Sequence, residues 1–249
     1  MLIEYEGTRY HGFQIQNDVP TIQGEVEEAI QKVTGEKIRL HGAGRTDAGV
    51  HARKQVAAFD TESTLSAETF VKALNSHLSP DIAIKDACVV KTSFDPRRDA
   101  VSREYRYTIN NSPIRSPFSR KWAYSVLKKL NIDTMNTASE ILLGEHDLAP
   151  FTNNEGAAKN TVRMVTKAEF ERENEFVYFG MISRAFLPQQ VRRTVGSLME
   201  VGLGKMEVSE FIEIACSGEI GRAKPVVPPH GLCLIKVNYS DIGFSYENI

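Results

Sequence analysis

The sequence has few cysteines, no excess of positive charge and no apolar run near the roughly 20 residues that a membrane-spanning helix needs. Its three cysteines, Cys88, Cys216 and Cys233, are scattered and odd in number, so neither a disulfide framework nor a paired-cysteine zinc site is suggested. The opening residues 1–7 lack the basic and apolar regions of a secretion signal and have the pattern of a strand. We therefore expect a cytoplasmic protein that opens directly on its first strand.

Charge is unevenly distributed along the chain. The net charge is −2, yet the stretch from Lys91 to Leu130 contains ten basic and only three acidic residues. Hydrophobic residues make up 41% and charged residues 25%, which excludes an intrinsically disordered chain. The basic stretch is either a solvated surface or a contact surface for a polyanion, and its composition alone leaves both readings open.

Hydrophobic periodicity divides the chain into two halves, 1–100 and 101–249, with nearly the same order of elements. The predicted strands are 1–6, 38–42, 54–60, 82–91, 103–111, 163–172, 175–183 and 231–240. The predicted helices are 21–34, 66–78, 133–143, 188–201 and 208–217. The polar loop 152–161 is predicted to be the most flexible stretch.

The order strand, helix, strand, strand, helix, strand is the split βαβ plan of ferredoxin-like domains. We therefore predict an α+β fold with two ferredoxin-like halves and joined, mostly antiparallel sheets. Helices should cover the outer faces and leave a central RNA-binding cleft, so that both halves form one catalytic domain. The fold supports RNA binding only by analogy with RNA-recognition domains of this topology.

One loop carries the residues most suited to chemistry. Residues 42–52 read GAGRTDAGVHA, and Gly42, Gly44 and Gly49 allow sharp turns and close approach to a ligand. Arg45 and Asp47 lie between them, opposite in charge and two residues apart. In a bent loop both could point into one cleft, where Arg45 would lower the pKa of Asp47 and keep its carboxylate nucleophilic.

Other readings of this loop remain open at the level of its residues. It lacks the GxxxxGK[ST] and GxGxxG patterns, so a nucleotide cofactor is not indicated. His41, Asp47 and His51 could suggest a metal, but they lack helical spacing and a cysteine partner, which favours a structural, hydrogen-bonding His51. Thr46 and Asp47 could also simply form a local turn. We expect no cofactor and no metal.

The loop segment GRTDAGVHA resembles the signature of the TruA family of tRNA pseudouridine synthases. Further segments resemble this family's blocks in the same order across almost the whole chain: YEGTRYHGFQIQ at 5–16, 22–34, SFDPRRDAVSREYRYTI at 93–109, LLGEHDLAPF at 142–151, 182–205 and PPHGLCLIKVNY at 228–239. Two positions depart from the family pattern. Phe13 replaces the usual tryptophan, and Asp95-Pro96 replaces the usual His-Ala, which could change which uridines are reached.

The resemblance implies residue roles. Asp47 corresponds to the catalytic aspartate, Arg45 to the arginine that pairs with it, and Tyr105 to the tyrosine that stacks on the target uracil. Arg192 corresponds to an arginine near the carboxylate, and Leu232, with Leu234 as the alternative, to the apolar residue of the pocket. The substrate-binding set implied in this way is Tyr105, Leu232, Gly44, Thr46, His51, Arg103 and Arg106.

The resemblance also implies an activity: isomerisation of uridine to pseudouridine at positions 38–40 of the tRNA anticodon stem-loop, by a homodimer that flips the target base. Asp47 could attack C1′ of the sugar, remove a proton from C2′ or attack C6 of the base, and the sequence does not choose among these routes. Two alternatives belong to other classes: a non-catalytic RNA-binding module, and a metal-dependent hydrolase using His41, Asp47 and His51.

Overall fold

The structure is a computed structural model that describes residues 1–153, 160–240 and 244. Its contacts group the chain into two compact units. Unit 1 comprises Met1–Val101 and the chain from Leu234 onward, and unit 2 comprises Ser102–Cys233. The C-terminal strand was expected with the second half, and from Leu234 its contacts group it with unit 1.

Unit 1 is an antiparallel sheet with two helices. Its elements are β1 (Leu2–Tyr5), α1 (Ile22–Thr34), β2 (His41–Gly42), β3 (His51–Ala58), α2 (Ala67–His77) and β4 (Ile82–Asp86). The sheet order is β4-β1-β3, with β2 paired to β3, and the last strand β10 (Leu232–Asn238) lies beside β3. This is the strand order of a split βαβ unit, and the buried side chains Ile3, Ile22, Ile30 and Leu74 fill its core.

Both helices of unit 1 begin and end where local chemistry dictates. The Thr21 side chain accepts a hydrogen bond from the Gly24 amide at the start of α1, and Gly35 ends it in a left-handed conformation. The Ser66 side chain likewise caps α2 at the Thr69 amide. The helix boundaries predicted from Ser66 and Gly35 are therefore confirmed to within one residue.

Among its described residues, unit 2 has a longer antiparallel sheet and three α-helices. Its elements are β5 (Ser102–Asn110), β6 (Tyr124–Ser125), α3 (Ile132–Ser139), β7 (Gly144–Asp147), β8 (Val162–Glu173), β9 (Phe176–Ser183), α4 (Gln190–Gly202) and α5 (Val208–Ala215). The order is β5-β9-β8-β7, and β6 pairs with β5 in parallel. The hairpin between β8 and β9 turns at Asn174, which has a positive φ of 55°. The predicted α+β class with mostly antiparallel strands is confirmed.

Two predicted strands are shorter than expected. Residues 38–42 contribute only two strand residues, because side chains of α1 satisfy the backbone of Leu40: its amide donates to Glu27 Oε1 (2.9 Å) and its carbonyl accepts from Gln23 Nε2 (3.0 Å). Strand β4 ends at Asp86, whose Oδ1 accepts from the next amide (2.7 Å). The short strands β6 and β7 were not predicted.

The predicted flexible loop 152–161 lies largely outside the described residues. Within the part of the chain that the structure describes, no helix is both long and apolar enough to span a membrane.

Candidate active site

The loop between β2 and β3 is fixed in unit 1 by backbone contacts with the N-terminal segment 10–13. The Phe13 amide donates to the Thr46 carbonyl (3.1 Å), and the Gly49 amide donates to the Tyr10 carbonyl (3.2 Å). Within the loop the Val50 amide donates to the Asp47 carbonyl (3.1 Å), which closes the turn that carries Asp47. A turn closed by a backbone bond is therefore present at Asp47, and it holds the Asp47 backbone in place.

The close approach of the loop and the N-terminal residues depends on several glycines, of which Gly12 also has a positive φ. Gly12 has a φ of +93°, and a Cβ there would lie 2.6 Å from the Thr46 carbonyl oxygen and 3.3 Å from the carbonyl carbon of Asp47. Any other residue would combine backbone strain with a clash against the loop. Gly12, the second glycine of the YEGTRYHGFQIQ segment, is thus part of the support for Asp47.

Two predicted substrate-binding residues hold the loop with their side chains. The buried hydroxyl of Thr46 lies 2.8 Å from the hydroxyl of Tyr5. The buried ring of His51 accepts a hydrogen bond at Nδ1 from the Gly7 amide (3.0 Å). His51 therefore has the structural role that its spacing favoured, and the described residues contain no cluster of three acids, histidines or cysteines suited to a metal.

The remaining residues of the loop face outward to different extents. Arg45 is exposed, Asp47 is half-buried, and Gly44 is half-buried. A Cβ at Gly44 would meet nothing within 4 Å, while its carbonyl accepts a hydrogen bond from Gln55 Nε2 (3.0 Å). The loop thus presents a carboxylate and a guanidinium on an immobilised backbone with open space above Gly44, an arrangement suited to attack on a bound ligand.

In unit 2, the three predicted site residues of strand β5 lie on two different faces of the strand. Arg103 and Tyr105 are buried on one face, whereas Arg106 is exposed on the other, as strand alternation requires. The Tyr105 ring contacts Phe186 edge to face, with centroids 4.9 Å apart, and Arg103 Nη1 donates to the Arg184 carbonyl (2.5 Å). Arg103 and Tyr105 can serve one pocket, but Arg106 lies on the opposite strand face from them.

Arg192 lies in α4 and reaches the segment that precedes β10. Its Nε donates to the Val227 carbonyl (2.9 Å), and the Val227 amide donates back to the Arg192 carbonyl (3.4 Å). The neighbouring Arg193 donates from Nη1 to the Ala223 carbonyl (2.9 Å). Gly196 allows the close packing, since a Cβ there would lie 2.5 Å from the Pro225 carbonyl oxygen.

A buried tyrosine fixes the next part of this segment. The Tyr107 hydroxyl donates to the Pro228 carbonyl (2.8 Å), and a Cβ at Gly231 would lie 2.5 Å from Tyr107 Cζ. Burial raises the pKa of Tyr107 well above its usual range, so the donating proton is retained at all physiological pH values. Leu232, to which the resemblance assigns a place in the pocket, follows directly and is buried.

Sequence reasoning singled out the residues with reactive groups and missed their supports. Tyr107, Arg193 and Gly12 all lie inside segments that resemble family blocks, but none was assigned a role. The only sequence signal was the second tyrosine of REYRY on the same strand face as Tyr105, together with the adjacent arginines of VRRTVG.

The two departures from the family pattern have local structural explanations. The ring of Phe13 is buried beside Gly42, where a Cβ would lie 2.4 Å from Phe13 Cε1. Asp95 Oδ1 accepts hydrogen bonds from the amides of Arg97 and Arg98, which lower its pKa, and Pro96 packs into the interior.

A family model described as tRNA pseudouridine synthase matches residues 1–97 and 138–240. A protein named tRNA pseudouridine synthase A from Geobacter sp. (strain M21) is 40% identical over 242 residues, which cover 97% of this chain and 98% of that protein. The protein of the same name from Acetivibrio thermocellus is 42% identical over 239 residues, covering 96% of this chain and 98% of that protein. The chain belongs to the TruA family of tRNA pseudouridine synthases, which are isomerases.

Among solved structures, a chain of the "Crystal Structure of a Cbf5-Nop10-Gar1 Complex" matches 80% of this chain and 54% of its own length. The TM-score is 0.33 and the identity 13%, too low to inform the fold.

Proposed function

We propose that this protein isomerises uridine to pseudouridine at positions 38–40 of the tRNA anticodon stem-loop, with Asp47 as the catalytic carboxylate. Membership of the TruA family supports the substrate class. The observation that carries the residue assignment is the turn Asp47–Val50, which is held by the Gly49–Tyr10 and Phe13–Thr46 backbone bonds. A nucleophile gains most from such a backbone, because little conformational freedom is lost when the substrate binds.

The reaction needs a uracil that has left the base stack. Extrusion of the nucleotide costs a few kcal/mol, and stacking on an aromatic ring recovers about 1–3 kcal/mol. Asp47 then starts cleavage of the bond between N1 and C1′, by one of the three routes given above. The freed uracil rotates and forms a bond from C5 to C1′, C5 loses its proton and N1 gains one. Atoms and electrons balance within the nucleotide, so the reaction requires no co-reactant.

Further roles are proposed from the resemblance to the family. Tyr105 is proposed to stack on the uracil and Leu232 to line the pocket, and Arg103 is proposed to contact the RNA. Arg45 and Arg192 are proposed to stabilise negative charge at and near the carboxylate. Gly44, with open space above it, would allow the nucleotide backbone to approach.

Two loop residues have a different proposed part. Since Thr46 and His51 are buried and hydrogen-bonded to unit 1, we assign them positioning of Asp47 in place of direct substrate contact. We also propose a cytoplasmic homodimer, which light scattering would show as twice the chain mass of 27.8 kDa.

The test is a pseudouridine map of unmodified tRNA transcripts incubated with the purified protein. We expect product only at uridines in positions 38, 39 and 40, and none when these are replaced by cytidine. Product at other positions would contradict the assigned site. Tight binding of tRNA without any pseudouridine would instead identify a non-catalytic RNA-binding module.

A further inference from the structure

The segment 112–129 of unit 2 presents large apolar side chains to solvent. Phe118 is 92% exposed and Ile114 is 77% exposed, and Leu127 and Trp122 are also exposed. Leaving such side chains in water forgoes the free energy of their burial, so a group of them indicates a contact surface.

This segment is held in place at several points and is not a loose excursion. The Asn111 side chain donates from Nδ2 to the carbonyls of Val126 (2.9 Å) and Lys128 (2.7 Å). The buried Ser119 hydroxyl accepts from Asn110 Nδ2 (3.2 Å), and the Val126 amide donates to the Asn110 carbonyl (2.8 Å). The exposed side chains are therefore displayed on an ordered backbone.

An aromatic row continues from this segment across one face of the sheet. The Trp122 ring lies 5.1 Å from that of Phe176, which stacks at 6.3 Å on Tyr178, and the guanidinium of Arg106 lies over the Tyr178 ring at 5.1 Å. These rings and Arg106 lie on the strand face opposite to Tyr105. The row is consequently separate from any pocket that Tyr105 lines.

The charge of the segment 112–132 has one sign. The residues from Ser112 to Ile132 include no acid and five cations, Arg115, Arg120, Lys121, Lys128 and Lys129, all of them exposed. Within residues 1–153, 160–240 and 244, no ion pair neutralises Arg115, Lys128 or Lys129. Glutamates of β8 lie opposite Tyr178 and Phe176 in the strand register and mark the boundary of the basic surface.

We infer that segment 112–129, together with Arg106, Tyr178 and Phe176, is a second RNA-contact surface of this enzyme, distinct in residues from the Asp47 loop. Cations bind the phosphates, while exposed rings stack on or pack against nucleotides. A second copy of the chain fits less well, because two such surfaces of like charge would repel each other. The inference rests on the proposed function, since it takes tRNA as the RNA.

The chain carries its own probe, because Trp122 is the single tryptophan. In Asp47→Asn protein, which we expect to bind tRNA without turnover, added tRNA should lower the quenching of Trp122 fluorescence by acrylamide about twofold or more. Vesicles of anionic lipid and a dilution series without RNA are measured in parallel. Unchanged quenching while tRNA is bound, as shown by a gel shift, overturns the inference. Reduced quenching of Trp122 that appears only with vesicles, or only at high protein concentration, also overturns the inference.

Charge-reversal variants of the otherwise unaltered enzyme test the same inference by enzyme activity. The double variant Arg115→Glu, Lys128→Glu should raise the KM for tRNA about tenfold and leave kcat unchanged. The slope of the logarithm of the binding constant against the logarithm of salt concentration should become smaller in magnitude by about two, because two phosphate contacts are lost. Lys72→Glu, an exposed cation on α2, is the control and should change KM less than twofold. A double variant that behaves like the control overturns the inference, whereas a wild-type enzyme that forms no pseudouridine in tRNA contradicts the proposed function itself.

Discussion

The Asp47 loop of unit 1 and the segment 223–231 of unit 2 are immobilised in different ways. The Asp47 loop of unit 1 is held by backbone hydrogen bonds to residues 10–13, by glycines where the chains approach, and by the Thr46 and His51 side chains. The segment 223–231 of unit 2 is held by three long side chains, Arg192, Arg193 and Tyr107, together with backbone bonds from Ala223 and Val227. Where backbone bonds hold a segment, side-chain substitutions should be tolerated, but a Cβ added at a glycine should not be. Where side chains hold it, removal of a single hydrogen-bond donor should have an effect.

The largest effect is expected where the loop and the N-terminal segment approach. Gly12→Ala places a Cβ 2.6 Å from the Thr46 carbonyl at a φ of +93°, so the turn carrying Asp47 must move. A displacement of about 1 Å can cost about a hundredfold in rate, and we expect kcat to fall by that order. The measurement is single-turnover pseudouridine formation.

Gly35→Ala is the matched control for this substitution. Gly35 also has a positive φ, +80°, but a Cβ there would meet nothing within 4 Å. The variant should lose about 1 kcal/mol of unfolding free energy and keep its kcat. If both alanine variants lose activity equally, the contact at Gly12 does not position the loop.

A smaller effect is expected from the arginine pair of α4. Arg192→Gln and Arg193→Gln each remove a donor to the same segment, but only Arg192 is proposed to act on charge near the carboxylate. We expect kcat to fall about tenfold or more for Arg192→Gln and less than threefold for Arg193→Gln, at similar urea midpoints. Equal losses in both variants would assign Arg192 to support of the segment alone.

Tyr107→Phe should mainly change stability. It removes the buried donor to the Pro228 carbonyl, at a cost of about 1–3 kcal/mol in unfolding free energy. Burial raises the folded-state pKa of Tyr107 above its unfolded value of about 10, so folding favours the protonated phenol. This stabilisation is present below about pH 10 and is lost as the pH rises further. Urea unfolding at about pH 8 and pH 11 should show a smaller alkaline loss in the variant, and an equal loss would exclude Tyr107 as its source.

The smallest change is expected at Gly44. Alanine there meets no atom within 4 Å, so the unfolding free energy should stay within about 0.5 kcal/mol of wild type. If the RNA backbone approaches this position, KM should still rise several-fold, because the methyl group occupies the space of the ligand. An unchanged KM would remove Gly44 from the substrate-binding set.

The sequence was most informative where structure is local. Helices α1 and α2 were predicted closely because Thr21, Ser66 and Gly35 act on their own neighbours. The Asp47 loop was recognisable because tight backbone turns need glycine, which leaves a readable pattern. The support from Tyr107, Arg192 and Arg193 was not derivable, because each joins residues 30 or more positions apart without a local pattern.

Two details of the structure differ from what the sequence suggested. Strand residues 38–40 were predicted from alternation, but Gln23 and Glu27 of α1 satisfy the Leu40 backbone, a contact invisible to periodicity. Arg106 was grouped with Tyr105 through the family block, although strand alternation places the two on opposite faces. That alternation was available in the sequence and would have separated them.

The proposed reaction depends on the carboxylate of Asp47, and the most direct measurement is tritium release from tRNA labelled at C5 of uridine. Asp47→Asn keeps nearly the same shape and leaves the turn to Val50 intact, so folding and tRNA binding should persist. We predict that release from this folded, tRNA-bound variant falls at least about a thousandfold, to background. Release near the wild-type rate would contradict the assignment of Asp47 as the group that starts the reaction.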